Sequence, residues 1–438
     1  INNEAFLTDI SILSSKYFDP QNVMSRYAIE QFDDPAFNAD SIKELEDWSV
    51  EFNDGKYGND PAHFYGMGPY KVTAWDRESA VTLERKENHW TQNLKTGNIY
   101  MNSYPQKIIV KVERDETGLA LDFKSQAIDA SASLPSKVLI ELQKDSSFNL
   151  NYNSSFIQSY SANFIVLNMR PDGILHKKIF DDLRVRRAFA MLTPVDQIIN
   201  VIVFGKGVRW PSVVSPLMPE FNSNLKLIPL DIESAKKLLN EAGWNDSDED
   251  GILDKEIDGV KTPLQVEFTF GLQGNLSVNL VNMVVESAAK AGVKIIPKGV
   301  EIGVLQQNLN QHNFDMAIAG WTGGAFQKDY SQLWSSQAWA SKGNNFGGFG
   351  DAASDVLIDS MRYTLNDSLR HQMSKRFQKI VYDQQPYVFL YSTYRKIALH
   401  KRWGNQIATA ETPSVVVNNL KLLTATGSTS LLLNDVSK

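Results

Sequence analysis

Leu264-Gln265-Val266-Glu267-Phe268-Thr269-Phe270 opens the stretch that decides the fold class. An apolar-striped segment follows over 277–291, then Val293-Lys294-Ile295-Ile296, a second helical stretch over 302–311, and Phe314-Asp315-Met316-Ala317-Ile318-Ala319. The first, third and fifth pieces have strand length and are rich in β-branched or aromatic side chains. The second and fourth have helical length and spacing. Strand–helix–strand–helix–strand is the grammar of an α/β layer. In such a layer a ligand sits beyond the carboxyl ends of the strands, which directs attention to Trp321, Thr322 and Gly323 just after the last one.

Upstream, Val185, Ala188, Phe189 and Leu192 fall at i, i+3, i+4 and i+7 within a helical stretch over 181–204. Thr193-Pro194-Val195-Asp196 reads there as a restart, with Thr193 as N-cap and Pro194 at the first helical position. Asp231 caps a third helix, whose stripe is Ile232, Ala235 and Leu239 and whose stop is Gly243. Strands are expected at 70–75 and 80–85 around the turn Asp76-Arg77-Glu78-Ser79, at 108–112 and at 164–168, with a helix over 117–125. Further helices are expected at 355–363 and 368–382, and two short strands at 386–391 and 396–399. Residues 1–67 are polar and weakly periodic, with turn signals and one short helix near 40–48.

At 438 residues the chain exceeds what one hydrophobic core organises, so two or three domains are expected. Lys and Arg number 44 against 51 Asp and Glu, a net charge of −7, and no basic stripe of the kind nucleic acid requires is present. Cysteine is absent, which excludes disulfides, zinc–thiolate sites and a cysteine nucleophile. None of the six histidines has tight metal-binding spacing, and there is no nucleophile elbow or phosphate-binding Walker loop. Gly348-Phe349-Gly350-Asp351-Ala352-Ala353 imitates a dinucleotide fingerprint, but it follows no buried strand and reads as a loop before a helix. No run of 18 apolar residues occurs. The first residue is Ile1, consistent with a processed or trimmed chain. The pattern points to binding and not to turnover, with no cofactor required.

One metal-like motif stands out. Asp246, Asp248 and Asp250 alternate before Gly251, and Ile252 and Asp254 follow. Calcium takes several hard oxygens around a tight turn, so Asp246, Asp248, Asp250 and Asp254 would offer carboxylates and Ile252 its carbonyl. The twelfth position of such a loop is Ile257, which cannot ligate. Two readings stay open here: a structural calcium, or a solvated acidic turn.

Five blocks then carry a family resemblance. Gly66-Met67-Gly68-Pro69-Tyr70-Lys71-Val72 with Leu83-Glu84-Arg85-Lys86-Glu87-Asn88-His89-Trp90, Asp182-Leu183-Arg184-Val185-Arg186-Arg187-Ala188, Ser234–Trp244 and Phe314–Trp321 resemble, in order, segments of solute-binding protein family 5. These are the oligopeptide-, dipeptide- and nickel-binding proteins of bacterial ABC importers. The resemblance implies an α/β, two-lobed, periplasmic-binding-protein-like fold (Venus flytrap, class II type) that is N-terminally truncated, since only 65 residues precede Gly66. It implies a remnant of a small extra domain and linker over 1–67, an incomplete first lobe over 68–178 plus 395–438, and a second lobe over 179–394.

The implied function is capture of a peptide or similar small solute by hinge closure. Implied partners are that ligand and a membrane permease, with no nucleic acid. The implied state is a monomer, extracytoplasmic and lipid-anchored through a segment ahead of Ile1. An envelope hydrolase, or a sensor or chaperone-like binder on the same scaffold, is the alternative. Ligand-contact candidates are Trp321, Thr322, Gly323, Asp329, Asn345 and Phe346, with Trp321 either stacking on ligand or packing in the core. Peptide binders of the family resemble G-W-x-x-D-Y, whose acid meets the peptide ammonium. The matching position here is Gly324, and Asp329 is the nearby substitute.

Overall fold

Strands β1 (Tyr70–Asp76), β2 (Ala80–Arg85) and β3 (Lys107–Lys111) form an antiparallel three-stranded meander. The computed structural model describes residues 12–94, 96–171, 178–272, 275–324 and 329–423, and the backbone of 432–433. The larger sheet is built from β4 (Ala130–Ser131), β5 (Tyr152–Gln158), β6 (Ala162–Leu167), β7 (Gly207–Val208), β10 (Gln265–Gly271), β11 (Lys294–Val300), β12 (Met316–Trp321) and β13 (Tyr387–His400). Between them, β8 (Asp254–Ile257) and β9 (Val260–Pro263) make a separate hairpin.

The order β11-β10-β12-β6 is parallel between β10 and both its neighbours and antiparallel from β12 to β6. The helices Asn275–Ala289 and Ile302–Asn310 connect β10 to β11 and β11 to β12, as parallel neighbours demand. Alternation with a period of two explains why both faces are covered. Ile165, Leu167, Met316, Val388 and Leu390 enter one core with Val266, Phe268 and Phe270. Phe164, Val166, Ala317 and Tyr387 enter the other. Each strand is therefore apolar on successive residues, the signature of a sheet sandwiched between helices.

β13 changes pairing partner along its length. Its first part, Tyr387–Tyr391, pairs with β6, Ser392 and Thr393 pair with β7, and Tyr394–His400 pair with β5. β5 and β6 are themselves joined by Ser159–Ser161. Two extended segments thus pass side by side from the large sheet into a smaller body with its own core, made by Phe123, Leu139, Leu142, Phe148, Tyr152 and Ala398. The β1–β3 meander leads to this body, tied by Tyr104 N–H to the Asn418 carbonyl (3.0 Å) and Asn102 Nδ2 to Asn419 Oδ1 (2.8 Å).

Three expectations shift. The separate strands at 386–391 and 396–399 are one 14-residue strand, because pairing with β7 and β5 carries it across the polar Ser392–Arg395 interval. The helix expected over 355–363 begins earlier, at Ala352, because Asp351 accepts from the N–H groups of Ala353 and Ser354. The residue entering the Val195–Ile202 helix is Pro194, and the Thr193 hydroxyl instead donates to the Phe189 carbonyl at 2.8 Å, closing the preceding helix. The other caps stand as read: Asp231 accepts from Ser234 N–H, and Gly243 ends that helix at φ +90°.

Candidate ligand-binding site

Small hydroxyl side chains line the crossover. Ser159 and Ser392 are both buried. Ser159 Oγ lies 2.7 Å from the Thr393 carbonyl and Ser392 Oγ 3.1 Å from the Ser159 carbonyl. The two hydroxyls lie 3.2 Å apart, and Ser161 Oγ is 2.6 Å from Ser159 Oγ. These contacts satisfy backbone groups where ladder pairing changes partner. Close by, the β6–β13 register shifts between Phe389 and Tyr391, and Asn163 Nδ2 donates to the Tyr391 carbonyl at 3.0 Å. Such a shift bends a strand and re-aims its side chains.

The carboxyl end of β12 meets this crossover. Trp321 stacks on Phe346, with ring centroids 5.4 Å apart at 20°, and tilts against Phe164 at 5.9 Å. Its indole N–H is buried with no hydrogen-bond partner, as is the Tyr387 hydroxyl. Both border a small cavity with Val213, Leu333 and Phe389. Burial raises the Tyr387 phenol pKa, opposed by the nearby Trp321 N–H. The Trp321 ring thus packs against Phe164 and Phe346, with its N–H near the Tyr387 hydroxyl.

Thr322 is exposed. Gly323 lies against the hinge: a Cβ there would stand 2.4 Å from the Tyr160 carbonyl oxygen, so the loop crosses the hinge backbone at a distance only glycine permits. Gly324 borders a narrow cavity with Tyr160 and Glu220.

The remaining candidates are held by the scaffold. Asn345 is buried and spends its amide inside its own loop: Nδ2 donates to the carbonyls of Ser335 (2.9 Å) and Phe349 (2.8 Å), and Oδ1 accepts from Phe349 N–H (3.2 Å). Phe346 is buried under Trp321. Asp329 accepts from Ser331 N–H at 2.8 Å and faces Arg362 Nε at 3.6 Å, so its charge already has a partner. Sequence reasoning missed Ser159, Tyr160 and Ser392. Ser-Tyr-Ser after the polar Ser154-Ser155 reads as a loop, and only the pairing with β13 reveals a buried junction.

In the acidic turn, carboxylate oxygens of Asp246, Asp248 and Asp254 come within 4.8 Å of one another. The electrostatics of that cluster are already answered by a lysine. Lys261 Nζ lies 2.6 Å from Asp248 and 3.4 Å from Asp254. The N–H and hydroxyl of Ser247, followed by Lys261, hold the Asp254 carboxyl below the usual range. Asp246 accepts from Asp250 and Gly251 N–H, and Asp250 caps Ile252 N–H at 2.8 Å instead of joining the convergent set. Asp250 and Ile252 therefore serve the turn, and a calcium ion fits these donors only by displacing an ammonium.

Comparison with known proteins agrees with this architecture. The model of the bacterial extracellular solute-binding proteins, family 5 (middle region), matches residues 13–344. An oligopeptide-binding protein, AppA, of Bacillus subtilis is 26% identical over 356 residues, covering 76% of this chain and 58% of that protein. A dipeptide-binding protein of Escherichia coli is 22% identical over 325 residues, covering 73% of this chain and 54% of the other. The chain thus spans little more than half the length of these relatives.

Among solved structures, B. subtilis AppA in complex with a nonapeptide superposes with a TM-score of 0.66 at 20% identity, over 84% of this chain and 71% of that one. NikA from Brucella suis with Fe(III)-EDTA superposes with a TM-score of 0.68 at 21% identity, over 82% and 68%. These likenesses establish the two-lobed fold. Among the described residues no helix is long and apolar enough to cross a membrane. With the match running through the α/β lobe and the crossover, the chain belongs to the bacterial extracellular solute-binding proteins of family 5.

Proposed function

We propose that this chain is the capture component of an ABC importer, holding a peptide or similarly sized solute between its two lobes without transforming it. The observation that carries the reading is the double crossover. β13 is hydrogen-bonded to both bodies, and among the described residues Ser159–Ser161 and the neighbouring part of β13, which also pairs with β7, lie between them. Two short side-by-side connections of this kind let bodies rotate as units while each core stays packed, the requirement for hinge closure on a ligand. Trp321 and the crossover loop at Gly323 lie where a guest between lobes would be felt. Peptide binding is supported by relatives whose names state it. A membrane permease is the implied partner, on the outer face of a membrane, with the binding protein acting as a lipid-anchored monomer. In the acidic turn calcium competes with Lys261 in a structural role.

The test is calorimetric titration of the chain with peptide pools and, separately, oligosaccharides, with X-ray scattering before and after saturation. Peptide binding with a reduced radius of gyration, and a recovered ligand of unchanged mass, is the expected result. Binding without any change of shape, or a cleaved ligand, overturns the reading.

A further inference from the structure

Glu220 is a buried carboxylate that the capture reading leaves unused. It lies in the loop after Trp210, and its side chain is 9% exposed. No described residue donates a hydrogen bond to it, and the His371 Nε2 atom stands 4.0 Å away, beyond hydrogen-bond reach. A deprotonated carboxylate offers about four acceptor positions to donors. Glu220 faces a cavity of about 240 Å³ that lies between its own loop and the helices Ala352–Tyr363 and Asp367–Gln384.

The other walls define what fits. Met218 and Met361 supply apolar, adaptable surface. Tyr330 and Ser374 face each other, their hydroxyl oxygens 3.3 Å apart. Arg370 also borders the cavity, but its guanidinium is bound to Asp367 and the Thr364 carbonyl, so its charge is matched. Among the described residues His371, which also lines the cavity, is the nearest donor to Glu220, and at 4.0 Å it stands beyond hydrogen-bond distance. A second, narrower cavity reaches the same carboxylate from the side of Gly324 and Tyr160.

We propose that this cavity binds a small organic cation, an ammonium or guanidinium group on a short apolar chain. The charged head donates to Glu220 and the chain lies against Met218 and Met361. The site is on the second lobe alone and does not depend on solute capture between the lobes.

The probe is butylammonium chloride, titrated by calorimetry into the full chain beside its neutral analogue 1-butanol at matched ionic strength. The wild type should bind the cation saturably and at least roughly tenfold more tightly than the alcohol. Glu220→Gln should abolish that preference, and Met218→Trp, which fills the cavity, should abolish binding of both probes. Equal affinity for the two probes in the wild type, or a preference that survives Glu220→Gln, overturns the proposal. Should Glu220→Gln fail to fold, cation binding that persists in Met218→Trp overturns it equally. Peptide titration of the same variants reports separately on capture between the lobes.

Discussion

Gly323→Ala tests the contact on which the hinge reading turns. The added Cβ would lie 2.4 Å from the Tyr160 carbonyl oxygen, 2.9 Å from Tyr160 Cβ and 3.0 Å from its carbonyl carbon. Real Cβ contacts essentially never fall under 3.0 Å, so the backbones must separate by at least about 0.6 Å. All three neighbours are backbone or Cβ atoms, and no flexible side chain can swing aside. The displaced strand end carries Trp321, which is packed on Phe164 and Phe346, so the strain passes into the second core. Overpacking of this kind costs about 1–3 kcal/mol.

Urea denaturation followed by tryptophan fluorescence measures the change. The control is Gly303→Ala, where nothing lies within 4 Å and the residue is in the first turn of the Ile302–Asn310 helix. That variant should be neutral or stabilising by at most about 0.5 kcal/mol. Because Tyr160 is in the crossover, Gly323→Ala should also weaken solute binding, whereas Gly303→Ala should not. A Gly323→Ala protein as stable as the control refutes the close packing of this loop on the hinge.

Four further outcomes follow from the geometry. Asn345→Ala removes two hydrogen bonds to Phe349 and one to the Ser335 carbonyl and should cost about 3 kcal/mol in denaturant titration. Asp329→Ala should leave peptide affinity unchanged and lower stability by about 1 kcal/mol or less, because the carboxylate serves Ser331 N–H and a partly exposed Arg362; a large loss of affinity would return it to the ligand site. Lys261→Ala should let millimolar calcium raise the melting temperature, while the wild type, whose ammonium already holds Asp248 and Asp254, responds little.

His400 gives the pH-dependent outcome. Its Nδ1 accepts from Arg402 N–H (3.0 Å) while Nε2 lies 2.9 Å from Gln126 Oε1, a pattern that fixes the neutral ring. Burial first, then Arg402, lowers its pKa from the usual 6.5. The unfolded chain therefore takes up the proton before the folded one. The native state's advantage is complete above about pH 6.5 and is lost as pH falls below it. A His400→Gln protein should lose that part of the decline between pH 7 and 5, measured by denaturant titration.

The sequence alone determined the elements whose causes are local. The strand–helix alternation over 264–319 needs only periodicity. The Asp231 cap and the Gly243 stop need only side-chain and backbone chemistry within one turn. The absence of cysteine and of catalytic spacings narrowed the function before any geometry was known. Tertiary structure decided what depends on partners far apart in the chain. That β13 is one strand serving two bodies rests on pairing with β5, β6 and β7, some 180 to 240 residues earlier. That Asn345 and Asp329 serve the scaffold, that Lys261 fills the acidic turn, and that Glu220 faces a cavity with His371 no nearer than 4.0 Å are matters of distance, not of residue type. Local patterns encode which conformations a segment prefers. Only packing decides which polar groups are already spent and which are left for a ligand.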